Sequence, residues 1–157
     1  MNQLYDDVFH IFSNADSIQY LYLPSGLPEM DLDYSWNGSA WDLSYRNLYT
    51  YTPGLNTLLV TGQNFLGQWE NAKKDSFGYS SNNLQSDRTS FYFNPTLQQW
   101  FFTKRSLYVY SAANQLTVQT DQDFVQNVWR NRFHYTSFYA VDSTLSSFLT
   151  EHWDTAA

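Results

Sequence analysis

The densest groups of side chains able to hold a metal or move a proton are two acidic triplets, Asp31-Leu32-Asp33 and Asp121-Gln122-Asp123. Neither carries the glycine turn and distal glutamate of a calcium loop, and two carboxylates do not fill a shell of about six oxygens. Asp31 and Asp33 could in principle act as the carboxylate pair of a glycosidase. Alternation on a strand puts them on one face, however, without fixing the separation such a pair needs. The histidines are His10, His134 and His152, and cysteine is absent. No zinc-protease helix motif, nucleophile elbow or phosphate-binding loop occurs. The sequence therefore predicts no enzyme activity, no metal and no cofactor, and it reads the acidic triplets as solvated charges that discourage edge-to-edge association.

The other chemistry on offer is that of aromatic surfaces. Aromatic residues make up 20% of the chain, as 13 Tyr, 12 Phe and 6 Trp, against 15% charged residues. Stacked rings with polar rims suit sugars, and a ring recurring in one slot suits a polymer. The same rings can simply pack on one another, which is the expected use in a chain with so little else to pack. The candidate ligand-binding residues are Trp41, Tyr49, Tyr51, Trp69, Phe77, Tyr79, Trp100, Tyr108, Tyr110, Trp129 and Tyr139.

Charge narrows the partners. The formal net charge is −7, the isoelectric point is near 4.6 and the mean hydropathy is −0.51. An acidic surface opposes phosphate-backbone binding and adsorption to anionic lipid, and no apolar run approaches the ~18 residues of a membrane span. Nucleic acid and membrane insertion are thus excluded as expected partners. The first seven residues, MNQLYDD, do not have the basic-then-apolar layout of a secretory signal.

The candidate residues recur at nearly constant intervals, which fixes the elements that must carry them. Trp41, Trp69, Trp100 and Trp129 are 28, 31 and 29 residues apart. Ten residues after each comes Tyr51, Tyr79, Tyr110 or Tyr139, and eight after the first three come Tyr49, Phe77 and Tyr108. Five after each is a potential cation: Arg46, Lys74, Arg105 and His134. Trp36, Phe65, Phe93 and Phe124 precede the four tryptophans by four to seven residues. Weaker copies place Phe12 in the tryptophan slot and give Phe148 to Trp153 the spacing of Trp36 to Trp41.

Even offsets share a face of a strand, whereas a helix would scatter them. The pattern predicts that each tryptophan and its plus-eight and plus-ten rings project together, with the plus-five cation on the reverse face. It also predicts a return strand beginning near a leucine after each of the turns "TPGLN", "SSNN", "SAANQ" and "VDS". Asn37-Gly38 reads as a tight type I′ turn. The expected fold is all-β: an antiparallel β-meander of tandem β-hairpin repeats of about 29 residues, roughly eight to ten strands in an open or curled sheet. Its units lie near 6–32, 33–59, 60–87, 88–117, 118–145 and, in part, 146–157. One such hairpin cannot bury enough surface to stand alone, so neighbours must support each other.

The stretch "WNGSAWDLSYRNLYTY" (36–51), followed by a turn and leucine, resembles the degenerate YD-like repeats of large secreted or surface proteins of Bacteroidota. These are distantly similar to the tyrosine-aspartate repeats of Rhs-type shells. Thr52, Ser80, Ser111 and Ala140 stand where that pattern has aspartate. The resemblance implies export, a secreted or cell-surface location and a scaffold role in adhesion, assembly or docking. Flanking repeats or other proteins would then be the partners, with polysaccharide as the alternative ligand.

Overall fold

The computed structural model describes residues 2–6 and 11–153. They form eleven strands: β1 (Asn2–Asp6), β2 (Ile11–Tyr22), β3 (Pro28–Trp36), β4 (Trp41–Tyr51), β5 (Thr57–Phe65), β6 (Trp69–Tyr79), β7 (Gln85–Asn94), β8 (Gln99–Tyr110), β9 (Leu116–Val125), β10 (Val128–Tyr139) and β11 (Leu145–His152). All lie in one open sheet in chain order, each pairing antiparallel with its sequential neighbours. The all-β meander is as the aromatic and polar patterning predicts. The strand number is higher than eight to ten, because β1 adds a strand ahead of the first expected hairpin.

The sheet is a single layer. Among the described residues no hydrophobic side chain is buried, and Asp31 is the one buried polar residue, 5% exposed. Rings are covered by side chains of their own strand and of strands one or two away, so cross-strand contacts take the part that a core plays elsewhere.

The two rims of the sheet are turned differently. At one rim five hairpins share one geometry, a type I turn closed by a residue with positive φ. The N–H of the first loop residue donates to the carbonyl four residues on, at 2.8–2.9 Å, in Leu23–Leu27, Thr52–Asn56, Ser80–Leu84, Ser111–Gln115 and Ala140–Thr144. The left-handed position is held by Gly26, Leu55, Asn83, Asn114 and Ser143. At the other rim the loops differ. Asn37-Gly38 is not a two-residue type I′ turn: only Gly38 has positive φ, and the loop runs from Asn37 to Ala40. The cause is the Asn37 side chain, whose Oδ1 accepts the N–H groups of Ser39 and Ala40 at 2.9 Å and so widens the turn. The loop with two consecutive positive φ values is Gln126-Asn127.

One backbone feature overturns the predicted distribution of side chains. Each long even strand carries one extra residue against its preceding neighbour, at Ala15, Ser44, Ala72, Thr103 and Arg132. In the last four this residue lies three after the strand's tryptophan. Such a bulge shifts the alternation by one, so residues beyond it project to the opposite face from the one an even count assigns. Ser44 Oγ and Thr103 Oγ1 donate to the carbonyls of Asp33 and Ser90, both at 3.0 Å, which pairs groups the bulge displaces from the ladder.

Candidate functional site

Because of the bulges, the candidate residues divide between two faces. The register carries Trp41, Leu43, Arg46 and Leu48 to one side and Tyr45, Asn47, Tyr49 and Tyr51 to the other. The same division follows in β6, β8 and β10. The expected shared stripe of tryptophan with plus-eight and plus-ten rings therefore does not exist, and the cation expected on the reverse face stands with the tryptophans.

On the Trp face the rings meet in pairs across the rim loops. Trp36 lies 5.4 Å from Trp41, Phe65 5.1 Å from Trp69, Phe93 5.1 Å from Trp100 and Phe124 4.9 Å from Trp129, centroid to centroid. Each plus-five cation reaches across the intervening strand to the next tryptophan. The Arg46 guanidinium is 4.1 Å from the Trp69 ring, Lys74 Nζ 4.6 Å from Trp100, and the Arg105 guanidinium 4.6 Å from Trp129. His134 meets Trp153 edge-on at 5.7 Å. Trp153 is not a copy of Trp41, since Phe148 sits within β11 and no turn separates the two. It lies 19 residues after His134, as Phe65, Phe93 and Phe124 lie 19 after Arg46, Lys74 and Arg105, and so occupies the first-ring slot.

Amides hold the two arginines. Gln63 Oε1 accepts Arg46 Nε–H at 2.7 Å and Gln63 Nε2–H donates to Asn71 at 2.8 Å. Gln122 Oε1 accepts Nε–H and Nη2–H of Arg105 at 2.9 and 2.6 Å and passes a bond to Asn131 at 2.7 Å. Beside Trp69, an open depression of about 380 Å³ is lined by Gln63, Gln68, Glu70, Asn71 and Phe93.

The Tyr face is built differently. Tyr51, Tyr79 and Tyr139 donate their hydroxyls to the carbonyls of Pro28, Thr57 and Leu116 at 2.7–2.8 Å, tying the end of one strand to the start of its neighbour. Asp31 Oδ1 accepts the Asn47 N–H at 3.1 Å and its Nδ2–H at 2.9 Å, while Oδ2 accepts the Tyr49 hydroxyl. Burial, reinforced by that hydrogen bond and charge, raises the Tyr49 hydroxyl well above the usual phenol range. Tyr45 lies over Gly62, and burial followed by the charges of Asp31, Asp33 and Asp75 pushes its pKa up to about 12. Asp75 pairs with Arg88 at 2.7 Å, and Arg88 in turn lies 5.8 Å from the Phe77 ring. Tyr108 and Tyr110 line an open depression of about 290 Å³ with Leu84, Ser86 and Asn114.

The four aspartates of the acidic triplets all fall on the Tyr face. Asp31 is consumed by Asn47 and Tyr49, Asp121 accepts Gln119 at 3.0 Å, and Asp123 faces Arg132 at 3.8 Å. His10 lies outside the described residues, and the register sends His134 and His152 to opposite faces. Among the described residues no group of three or more His, Asp or Glu converges as a metal site would require. Reading by residue type and spacing missed Asp31 as a structural anchor and Gln63 and Gln122 as supports of the arginines. The one available signal was their common distance of 17 residues from the cations Arg46 and Arg105.

The sequence matches no protein-family model and no curated protein. Its fold is similar to that of a Bacteroides fragilis protein of unknown function, with a TM-score of 0.65 at 14% identity over 76% of this chain and 89% of that one. A DUF3836 family protein from Bacteroides vulgatus gives a TM-score of 0.48 at 12% identity over 57% of this chain and 92% of that one.

Proposed function

We propose that this chain is a non-catalytic scaffold acting outside the cell or at its surface, in adhesion, assembly or docking. In this reading it is an array of hairpin units of about 29 residues that belongs to a longer chain. The observation that carries the reading is the single-layer sheet without a buried apolar residue among those described, which leaves two chemically distinct faces open. Recurrence of the bulge and of the rim turn in successive hairpins supports the array. An enzyme normally encloses its reacting groups in a dry, preorganised pocket, and a surface-presenting protein has no need of one.

Native-state hydrogen exchange tests the array. Units stabilised only by their neighbours should be best protected near β5–β8, with protection falling stepwise toward β2 and β11. One uniform level of protection across all strands would overturn it. Protease treatment of intact producing cells tests the location: the protein should be removed, and full survival would rule out surface display.

A second reading, a carbohydrate-binding module, is favoured by the Trp face. There the rings and amides of Trp69, Gln63 and Asn71 border an open depression, while the tyrosine hydroxyls opposite are engaged with backbone.

A further inference from the structure

The Trp face holds positive charge that the rest of the molecule leaves unneutralised. In a chain with 15 acidic against 8 basic residues, a cation without a carboxylate partner is the unexpected case. Arg88 and Arg132 have such partners; Lys73 and Lys104 are not ion-paired among the described residues either, but they share the Tyr face with Asp75 and, directly across the strand from Lys104, Asp123. Arg46, Lys74 and Arg105 have none within ion-pair distance among the described residues. They are instead seated on rings and, for the arginines, steered by Gln63 and Gln122. An amide fixes a guanidinium without cancelling its charge, and each guanidinium has more N–H donors than its glutamine takes. Asp87, on the same face, folds over Gly78 and accepts the Ser86 hydroxyl, toward the opposite rim from the rings.

We propose that this row binds an acidic polysaccharide in which a carboxylate recurs on every second sugar. The inference rests on the surface-presenting reading above and names the ligand class of one face. The three cations come from β4, β6 and β8, alternate strands of the sheet. Strand spacing of about 4.8 Å and a stagger of two residues per hairpin, which sets Lys74 level with Leu48 and Arg105 level with Ser76, separate successive cations by roughly 12 Å. An extended pyranose chain advances by slightly less than this per disaccharide, a difference the long Lys and Arg side chains take up, so one uronate per disaccharide meets one cation. The rings beside each cation offer apolar surface to sugar C–H groups, and Gln63, Asn71 and their counterparts offer amides to hydroxyls. Single-stranded nucleic acid fits worse: it carries a charge on every nucleotide, more than one for each cation here, and meets the repulsion of an acidic protein.

The test is calorimetric titration of the full chain with four probes: hyaluronan oligosaccharides, which alternate uronate with neutral sugar; dextran, which is neutral; polygalacturonate, charged on every sugar; and oligothymidylate. Hyaluronan should bind saturably, more weakly as salt rises, and more tightly than the other three. Arg46→Gln, Lys74→Gln and Arg105→Gln should each weaken it about threefold, a modest loss suited to exposed charges, and together about thirtyfold. Lys73→Gln with Lys104→Gln, on the Tyr face, should change nothing. Should the triple variant lose its β-sheet circular dichroism, the three single variants carry the test. Absence of hyaluronan binding, equal weakening by the Tyr-face variant, or tighter binding of polygalacturonate or oligothymidylate would each overturn the proposal. Failure here with the graded exchange pattern intact leaves the scaffold standing, and loss of that pattern counts against the scaffold alone.

Discussion

The two faces of this sheet use charge in opposite ways. On the Tyr face it is spent internally: Asp31 gathers Asn47 and Tyr49, and Asp75 engages Arg88 and the Ser90 hydroxyl. On the Trp face Arg46, Lys74 and Arg105 rest on rings, and none is neutralised by an ion pair among the described residues. A single-layer sheet cannot hide polar groups in an interior, so each face must satisfy its own. The Tyr face does so with hydrogen bonds that lock strand to strand. The Trp face does so with aromatic and cation contacts that leave the charge outward-looking. One face is the fastening of the sheet and the other is the side we propose to meet a partner.

The contrast predicts unequal responses to mutation. The largest loss should come from Asp31→Ala, which removes the acceptor of two Asn47 donors and the Tyr49 hydroxyl in the one buried polar site among the described residues. Breaking a charged, hydrogen-bonded cluster of this kind costs about 3 kcal/mol, read from urea unfolding. Next, Gly62→Ala should cost about 2 kcal/mol, because the added methyl would overlap the Tyr45 ring and approach Lys73 Cγ to 2.9 Å. If Gly62→Ala is neutral in urea, the Tyr45 ring is not a fixed part of the Tyr face.

The Tyr face should also respond to alkali. The folded sheet holds Tyr45 at about 12, above the unfolded phenol value near 10, through burial first and then Asp31, Asp33 and Asp75. Its contribution is therefore complete below pH 10 and is lost as pH rises through 12. Melting temperature should fall over that window, and Tyr45→Phe should flatten the fall. The smallest effect should come from the Trp face. Arg105→Gln removes a cation from Trp129 while keeping much of the stem, and should cost about 0.5 kcal/mol. If its cost approaches that of Asp31→Ala, the division of labour between the faces is wrong.

Much of the architecture was legible in residue order. Strand content followed from the aromatic and polar composition, and the rim turns from "TPGLN", "SSNN", "SAANQ" and "VDS". The pairing of Trp36, Phe65, Phe93 and Phe124 with their tryptophans followed from short spacing across a loop. The candidate surface was legible only in part. Trp69 and Tyr79 were grouped because an even count of residues separates them, yet Ala72 is an extra residue in that count and sends them to opposite sides. A small or polar residue in the same slot, Ser44, Ala72 or Thr103, was the trace the bulge left in the sequence. Alone it means little, since such residues are common in strands.

Residue order by itself determined that this chain would be a meander of aromatic-rich hairpins, because alternation, turn chemistry and ring spacing act between residues close along the chain. Tertiary structure decided which rings share a side and which cations they carry. A bulge exists only when two strands are laid against each other and one has a residue too many. It also decided that the sheet remains a single layer, with Asp31 as its one buried polar anchor among the described residues. Burial is the sum of what all neighbouring strands cover, and no stretch of sequence contains that sum.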